Sequence, residues 1–196
     1  MGNPGYEVLI CPFLEKPLTV KQIVGLKKKY LQDTRPSVLR YQKEFFAKYI
    51  TDTQEIEPPS GFEKNAWIFY QITREFSPVS KRYNFEGRIY ALVNGGCFSA
   101  SDDYADMVKR TGLGILVGQN TGGMGGCFLA PPAIRLPRSG MIFRVETDLT
   151  LTPSGEVSEL YGTEPDVKLP GTHPPKSITR EDLLNDPWIS EIITQQ

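Results

Sequence analysis

Histidine is almost missing from this chain: among 196 residues there is one, His173, set in Thr-His-Pro-Pro. That excludes metal sites built from several imidazoles. It also leaves any nucleophilic serine only one imidazole to draw on, and a lone histidine in a proline-rich stretch is more often a surface residue than a base. Cysteine is scarce too. Cys11, Cys97 and Cys127 are odd in number, widely spaced and in no metal-binding pattern, so they read as reduced, mostly buried thiols. No apolar run approaches the roughly 20 residues that span a bilayer, and the N-terminus lacks the charged-then-apolar order of a signal peptide. Neither sign of charge is in excess: 22 Lys and Arg face 23 Asp and Glu, for a net charge of −1. With a pI near 5.9, the chain carries no electrostatic footprint for nucleic acid or an acidic membrane. The one basic cluster, residues 27–29 beside Lys21, fits a solvated helix face. Internal repeats are absent, and nothing fixes a compartment.

What is present suits one core with at most an appendage: 39% of residues are hydrophobic and 23% charged. Residues 19–31 (Ile23, Leu26, Tyr30) and 37–50 (Leu39, Phe45, Phe46, Tyr49) space their apolar side chains as helices do, with Pro36 between them. Residues 52–61, polar with Pro58-Pro59, read as a loop, and 66–70 as strand or helix. Residues 88–93 then form a buried-type strand. A helix over 101–110 follows, with Asp102, Asp103 and Asp106 early, Lys109 and Arg110 late, and Gly112 as its stop. Residues 114–118 form a second strand, so the unit is predicted to be a parallel, right-handed βαβ. Strands are expected over 133–136 and 141–147 around a turn at 137–140, and 149–152 continues the sheet. Thr179 with Asp182 predicts a capping box, and Asp186-Pro187 opens a last helix through Ile193. The chain thus divides into a helical region, 1–84, and an α/β core, 85–196, within one domain.

The richest stretch is 89–126, IYALVNGGCFSASDDYADMVKRTGLGILVGQNTGGMGG. A strand ends in Gly95-Gly96, which permit a sharp turn, and delivers Ser99 to a helix N-terminus, where free N–H groups favour developing negative charge. Ala100 is small and leaves its N–H open to a substrate oxygen. The competing reading is that Ser99 or Ser101 is an N-cap worth about 1 kcal/mol, and on this pattern alone that reading prevails. No Ser-x-x-Lys is present, since Asp102 stands three residues after Ser99. Lys109 lies roughly 15 Å along the helix, out of reach. The loop 118–126 lacks Gly-Lys-Ser/Thr, so phosphate binding is a weak reading. A glycine wall at Gly122 and Gly123, lining a cleft for an extended peptide, fits at least as well. Glu159, beside a turn in SELYGTEPDV, is by default an exposed carboxylate.

The segments YALVNGGCFSASDDYADMVKRTGLGILVGQNTGG and LTLTPSGEVSELYGTEPDVKLP resemble the C-terminal-processing (tail-specific) serine peptidases, and the branch of the tricorn core protease more than the serine–lysine branch. The resemblance spans about the last two-thirds of the chain, and Gly2-Asn3-Pro4-Gly5 is similar to the family's asparagine–glycine turn. It implies Ser99 as nucleophile and the backbone N–H groups of Ala100 and Gly5 as oxyanion hole. It also implies Glu159 as the glutamate orienting the apparatus. Met124 falls where the serine–lysine branch has its base; a thioether accepts no proton at neutral pH, so that dyad is excluded.

The expectation is therefore a crotonase-like ββα peptidase domain lacking its N-terminal portion: a truncated reading frame, an expressed fragment or a degenerate paralogue. Its general base is a histidine missing from the chain, so the isolated chain is expected to be inactive. Its partners are a peptide or protein substrate and an upstream peptidase segment or a second copy, with no metal or organic cofactor. Relatives often act outside the cytoplasm. The alternative is a catalytically inactive peptide- or ligand-binding module of the same fold. An acyl-thioester enzyme of the wider superfamily has fold analogy alone behind it.

Overall fold

The computed structural model describes residues 7–30, 52–79, 85–123, 133–171 and 179–194. A short helix α1 (Glu7–Ile10) and a 3-10 turn lead into β1 (Leu18–Lys27), followed by β2 (Asp52–Ile56) and β3 (Trp67–Phe76). After these come β4 (Tyr90–Val93), helix α2 (Ala100–Thr111) and β5 (Ile115–Gly118). The hairpin β6 (Ala133–Arg135) and β7 (Ile142–Arg144) precedes β8 (Asp148–Leu151), α3 (Ser158–Tyr161) and β9 (Val167–Lys168). Helices α4 (Arg180–Leu184) and α5 (Pro187–Thr194) close the described chain.

The strands form an antiparallel sheet in the order β2-β3-β1-β8, a parallel sheet in the order β4-β5-β9, and the isolated β6-β7 hairpin. Two expectations are corrected here. Residues 19–31, expected as a helix, supply most of β1, and 52–61, expected as a loop, begins with β2. In the described part of 1–84 strands dominate, and β1 pairs directly with β8 from beyond residue 85. The physical reason lies in two overlapping periods. Ile23, Leu26 and Tyr30 are helix-spaced, but Val20, Gln22, Val24 and Leu26 alternate inward at period two and are all buried. β-branched side chains and Gly25 tip the balance towards strand. Gly25 sits opposite Phe69 in the register, where a Cβ would come within 2.6 Å of the Phe69 ring. The expected helix over 37–50 lies outside the described residues, as do Gly5, Met124, Cys127 and His173.

The βαβ unit is present as expected: β4 and β5 pair in parallel across α2, and Gly112 ends the helix at φ 65. Helix α2 is wedged between the two sheets. Ala105 and Val108 pack with Val93 and Leu116 of the parallel sheet, whereas Met107 packs with Ile10, Leu14, Val20 and Phe76 on the antiparallel side. β8 joins β1 and not the hairpin sheet, and β6-β7 stands exposed.

A polar seam crosses this interface. Arg74 on β3 and Gln22 on β1 are each 1% exposed. Arg74 Nη1 reaches Gln22 Oε1 at 3.3 Å and Asp103 of α2 at 3.4 Å. Gln22 Nε2 donates to Asp106 at 3.1 Å, and Arg110 Nε binds the same carboxylate at 2.6 Å. Arg110 also donates to the carbonyls of Lys21 and Leu151, tying α2 to β1 and β8. Asp103 and Asp106 therefore do more than complement the helix dipole: they are the docking contacts of a helix whose buried face is partly charged.

Removing one member of a buried ion pair strands the other, which typically costs about 3–5 kcal/mol. Arg74→Met is accordingly expected to lower the unfolding free energy by about that much in urea titration; a loss below about 1 kcal/mol would contradict the seam's role.

Candidate active site

Beyond β4 the chain turns at 94–97: the Cys97 N–H donates to the Asn94 carbonyl at 2.9 Å, and the Asn94 side chain accepts from Gly96 at 2.8 Å. Neither Gly95 nor Gly96 adopts a positive φ. The strained conformation falls on Ser99, at φ 57 and ψ −118, which is the sole non-glycine with positive φ among the described residues. Such a backbone costs about 1–3 kcal/mol and persists only where its surroundings hold it.

Those surroundings are specific. The Ser99 N–H donates to the Gly123 carbonyl at 3.0 Å, and the Ser99 carbonyl accepts from the Asp103 N–H at 2.9 Å. Phe98 bridges to Gly123 in parallel, and the Gly122 N–H donates to the Cys97 carbonyl at 2.7 Å. Ser101 Oγ accepts from the Phe98 N–H at 2.7 Å and donates to the Phe98 carbonyl at 2.9 Å. The two serines are thereby told apart. Ser101 is consumed locally. Ser99 occupies the N-cap position of α2 without a side-chain cap bond, is exposed, and its hydroxyl has no partner among the described residues. Nor does any described residue accept from the Ala100 N–H. An exposed hydroxyl beside a free amide at the positive end of a 12-residue helix can attack a carbonyl and hold the resulting oxyanion.

Gly123, buried at φ 80, presses its Cα against Ser158 and Glu159 so closely that a Cβ would collide with the Ser158 carbonyl. Ser99, Ala100, Gly122, Gly123 and the helix bearing Glu159 are thus brought into one neighbourhood. Gly5 lies outside the described residues. Glu159 is not the exposed carboxylate of the default reading. Its Oε1 accepts from the Thr150 N–H at 3.3 Å, while its Oε2 is buried with no hydrogen-bond partner among the described residues. Burial pushes this carboxyl up to about 7. The negative charges of Asp102 and Glu146 add to the rise, and its own amide and that of Thr150 oppose it.

Sequence reasoning missed Asp102, which it assigned only to the helix dipole. Asp102 is 1% exposed and takes hydrogen bonds from the hydroxyls of Thr121, Ser158 (3.0 Å) and Thr163 (3.0 Å), and from the Thr163 N–H at 3.2 Å. Its position in the first turn, three residues from Ser99, was visible; its three distant donors were not. Asp166 was missed as well: it accepts from the Leu116 N–H at 2.9 Å and pairs with Lys109 at 3.2 Å, fastening the segment after α3 to β5. Among the described residues no group of three or more His, Cys, Asp or Glu is placed to hold a metal, and no helix is long and apolar enough to cross a membrane. An open cavity of about 670 Å³, lined by Leu9, Phe13, Phe85, Tyr90 and Tyr104 among others, does not include Ser99.

The model of Peptidase family S41 matches residues 17–169. A search of curated proteins finds no match. Among solved structures, the chain is similar to a candidate peptidase from Parabacteroides merdae (20% identity over 80% of this chain and 47% of that one, TM-score 0.49). It is similar also to mature CPAF complexed with lactacystin (17% identity, 84% and 36%, TM-score 0.51). A third likeness is to the photosystem II D1 C-terminal processing protease (19% identity, 86% and 31%, TM-score 0.43). The chain spans less than half the length of each. The likeness to CPAF supports a shared fold and nothing finer.

The Glu159 carboxyl binds its proton more tightly in the folded chain (about 7) than its ordinary value of 4.5. The stabilisation from its protonated form is fully present below 4.5 and is lost as pH rises through about 7. Glu159→Gln should therefore gain thermal stability relative to wild type between pH 5 and pH 8. A difference in Tm independent of pH over that range would contradict the raised value.

Proposed function

The chain belongs to peptidase family S41, and on that premise we propose that it carries the nucleophile half of a serine peptidase site, on a crotonase-like core. One observation carries the reading: Ser99, at a strained φ of 57, presents an exposed hydroxyl beside the Ala100 N–H, and neither has a partner among the described residues. Strain at a strand-to-helix turn is the arrangement that pushes a nucleophilic hydroxyl out of the surface.

In this reading the Ser99 Oγ attacks a peptide carbonyl carbon. The carbonyl π electrons move onto oxygen, and the oxyanion accepts a hydrogen bond from the Ala100 N–H and, by resemblance, a second from the Gly5 N–H. The hydroxyl proton passes to a histidine contributed by residues outside this chain. That imidazolium then protonates the departing amine, and water hydrolyses the acyl-serine by the same route in reverse. Glu159 supports the base from its half-buried position. With a carboxyl that titrates near 7, it can donate a hydrogen bond when protonated and accept one when ionised. No step draws on a metal or organic cofactor. The substrate is an extended peptide, by resemblance a C-terminal tail. It lies along a sheet edge, for which β4, the outer strand of the β4-β5-β9 sheet among the described residues, is the candidate.

The test supplies the missing base from solution. The purified chain is treated with a fluorophosphonate, with and without millimolar imidazole, alongside Ser99→Ala. The expected result is negligible peptide turnover and a single phosphonyl adduct on Ser99 whose formation imidazole accelerates at least tenfold. An adduct at equal rate in Ser99→Ala, or no adduct on Ser99 under either condition, overturns the proposal.

A further inference from the structure

The geometry points to Asp102 as the positioning residue of this site: one buried carboxylate gathers hydroxyl groups from three separate segments and so fixes Ser99 relative to Glu159. The inference rests on the reading of Ser99 as nucleophile and goes beyond it by naming what holds the nucleophile in place.

Each contact leads to a functional position by a short path. The Thr121 hydroxyl donates to Asp102 Oδ1 and itself accepts from the Thr163 N–H at 2.6 Å, while the Thr121 N–H donates to the Thr163 carbonyl at 3.1 Å. Two residues beyond Thr121 stands Gly123, whose carbonyl takes the Ser99 N–H. The Ser158 hydroxyl donates to Asp102 Oδ2 at 3.0 Å, and its neighbour in the chain is Glu159. Asp102 itself lies in the first turn of α2, one residue before the amide that binds the Ser99 carbonyl. The Asp102 carboxylate is thus the common acceptor for the glycine loop, for α3 and for the Thr163 turn. Without it the glycine loop and the Thr163 turn would keep the bonds they make to each other but lose their tie to α2 and to the Ser158 hydroxyl. A carboxylate suits the role because it accepts at several lone pairs and donates at none, so every hydroxyl around it is held in one orientation.

The charge matters as well as the shape. Among the described residues, Asp102 and Glu146 are the charged groups that raise the Glu159 carboxyl, with the Thr150 N–H facing it from β8. Asp102→Asn keeps the volume but removes that charge and turns one acceptor into a donor. Two readouts on the full 196-residue chain follow. In native-state amide exchange, the Ser99 and Thr163 amides are expected to exchange at least tenfold faster in Asp102→Asn, while those of Val24 and Ile72 in the β1-β3 ladder keep their protection. In a carboxyl carbon NMR titration, the Glu159 midpoint is expected to fall. Unchanged Ser99 protection, loss of protection spread equally over β1 and β3, or an unmoved Glu159 midpoint each overturns the role of Asp102.

If Asp102→Asn does not fold, Thr121→Val removes one of the hydroxyl donors to Asp102, together with an acceptor of the Thr163 N–H, and is expected to quicken exchange at Ser99 by a smaller factor. Thr121→Ser, which keeps the hydroxyl, is expected to retain wild-type protection; equal exchange at Ser99 in these two variants also overturns the assignment. Neither readout needs Ser99 to react. A wild-type chain that takes no phosphonyl adduct while its exchange pattern responds to Asp102→Asn therefore overturns the nucleophile reading and not the tether.

Discussion

A serine at φ 57 stays there only if its peptide groups are held on both sides. Here the Ser99 N–H is bound by the Gly123 carbonyl and the Ser99 carbonyl by the Asp103 N–H. The first of these bonds depends in turn on a residue without a side chain. Gly123 lies at φ 80 with its Cα against the Ser158 carbonyl, so any Cβ would force the glycine loop and α3 apart. The same backbone contact that poses the serine thereby sets how near Glu159 can come. Ser99, the glycine loop and the helix bearing Glu159 are tied together, and the Ser99 hydroxyl and Ala100 amide are what they leave without a partner among the described residues.

Such a unit is useful only on a helix that does not move, and α2 is anchored from three directions. Apolar contacts from Ala105 and Val108 face the parallel sheet, Met107 faces the antiparallel sheet, and the Arg74–Gln22–Asp103–Asp106–Arg110 seam crosses between them. A buried charge seam is a weak source of net stability but is intolerant of misregister, because each displaced partner leaves another uncompensated. The first turn of α2 divides its acids by task. Asp103 and Asp106 dock the helix on the sheet, and Asp102 turns the other way towards the threonine and serine hydroxyls of the site.

How far the sequence discloses this depends on how local each cause is. Strand, helix and strand across 88–118 were readable because burial-type apolar runs, the acid-to-base charge order and Gly112 all act within a few residues. The Thr179–Asp182 capping box was readable for the same reason, and both of its hydrogen bonds are present. Residues 19–31 were misread because Ile23, Leu26 and Tyr30 satisfy a helical period. The inward set Val20, Gln22, Val24 and Leu26 satisfies a strand period over the same stretch, and only pairing with β3 and β8 decides between them. The pairing of β8 with β1 joins residues more than a hundred apart and leaves no local trace. At the candidate site, Gly95-Gly96 was expected to let the chain turn sharply, and it does turn at 94–97, but the positive φ falls on Ser99, which no local signal announced. Asp102 and the burial of Glu159 escaped notice because the hydroxyls and strands that surround them come from far along the chain.

The central claim is that the Ala100 N–H is an oxyanion donor set in place before any substrate arrives. A crystal structure of the chain phosphonylated at Ser99 tests it most directly. The account predicts a phosphonyl oxygen within about 2.7–3.1 Å of the Ala100 nitrogen, with Ser99 still at positive φ and still bonded to the Gly123 carbonyl. A phosphonyl group turned to solvent, with Ser99 relaxed to negative φ and the Gly123 bond broken, would contradict it.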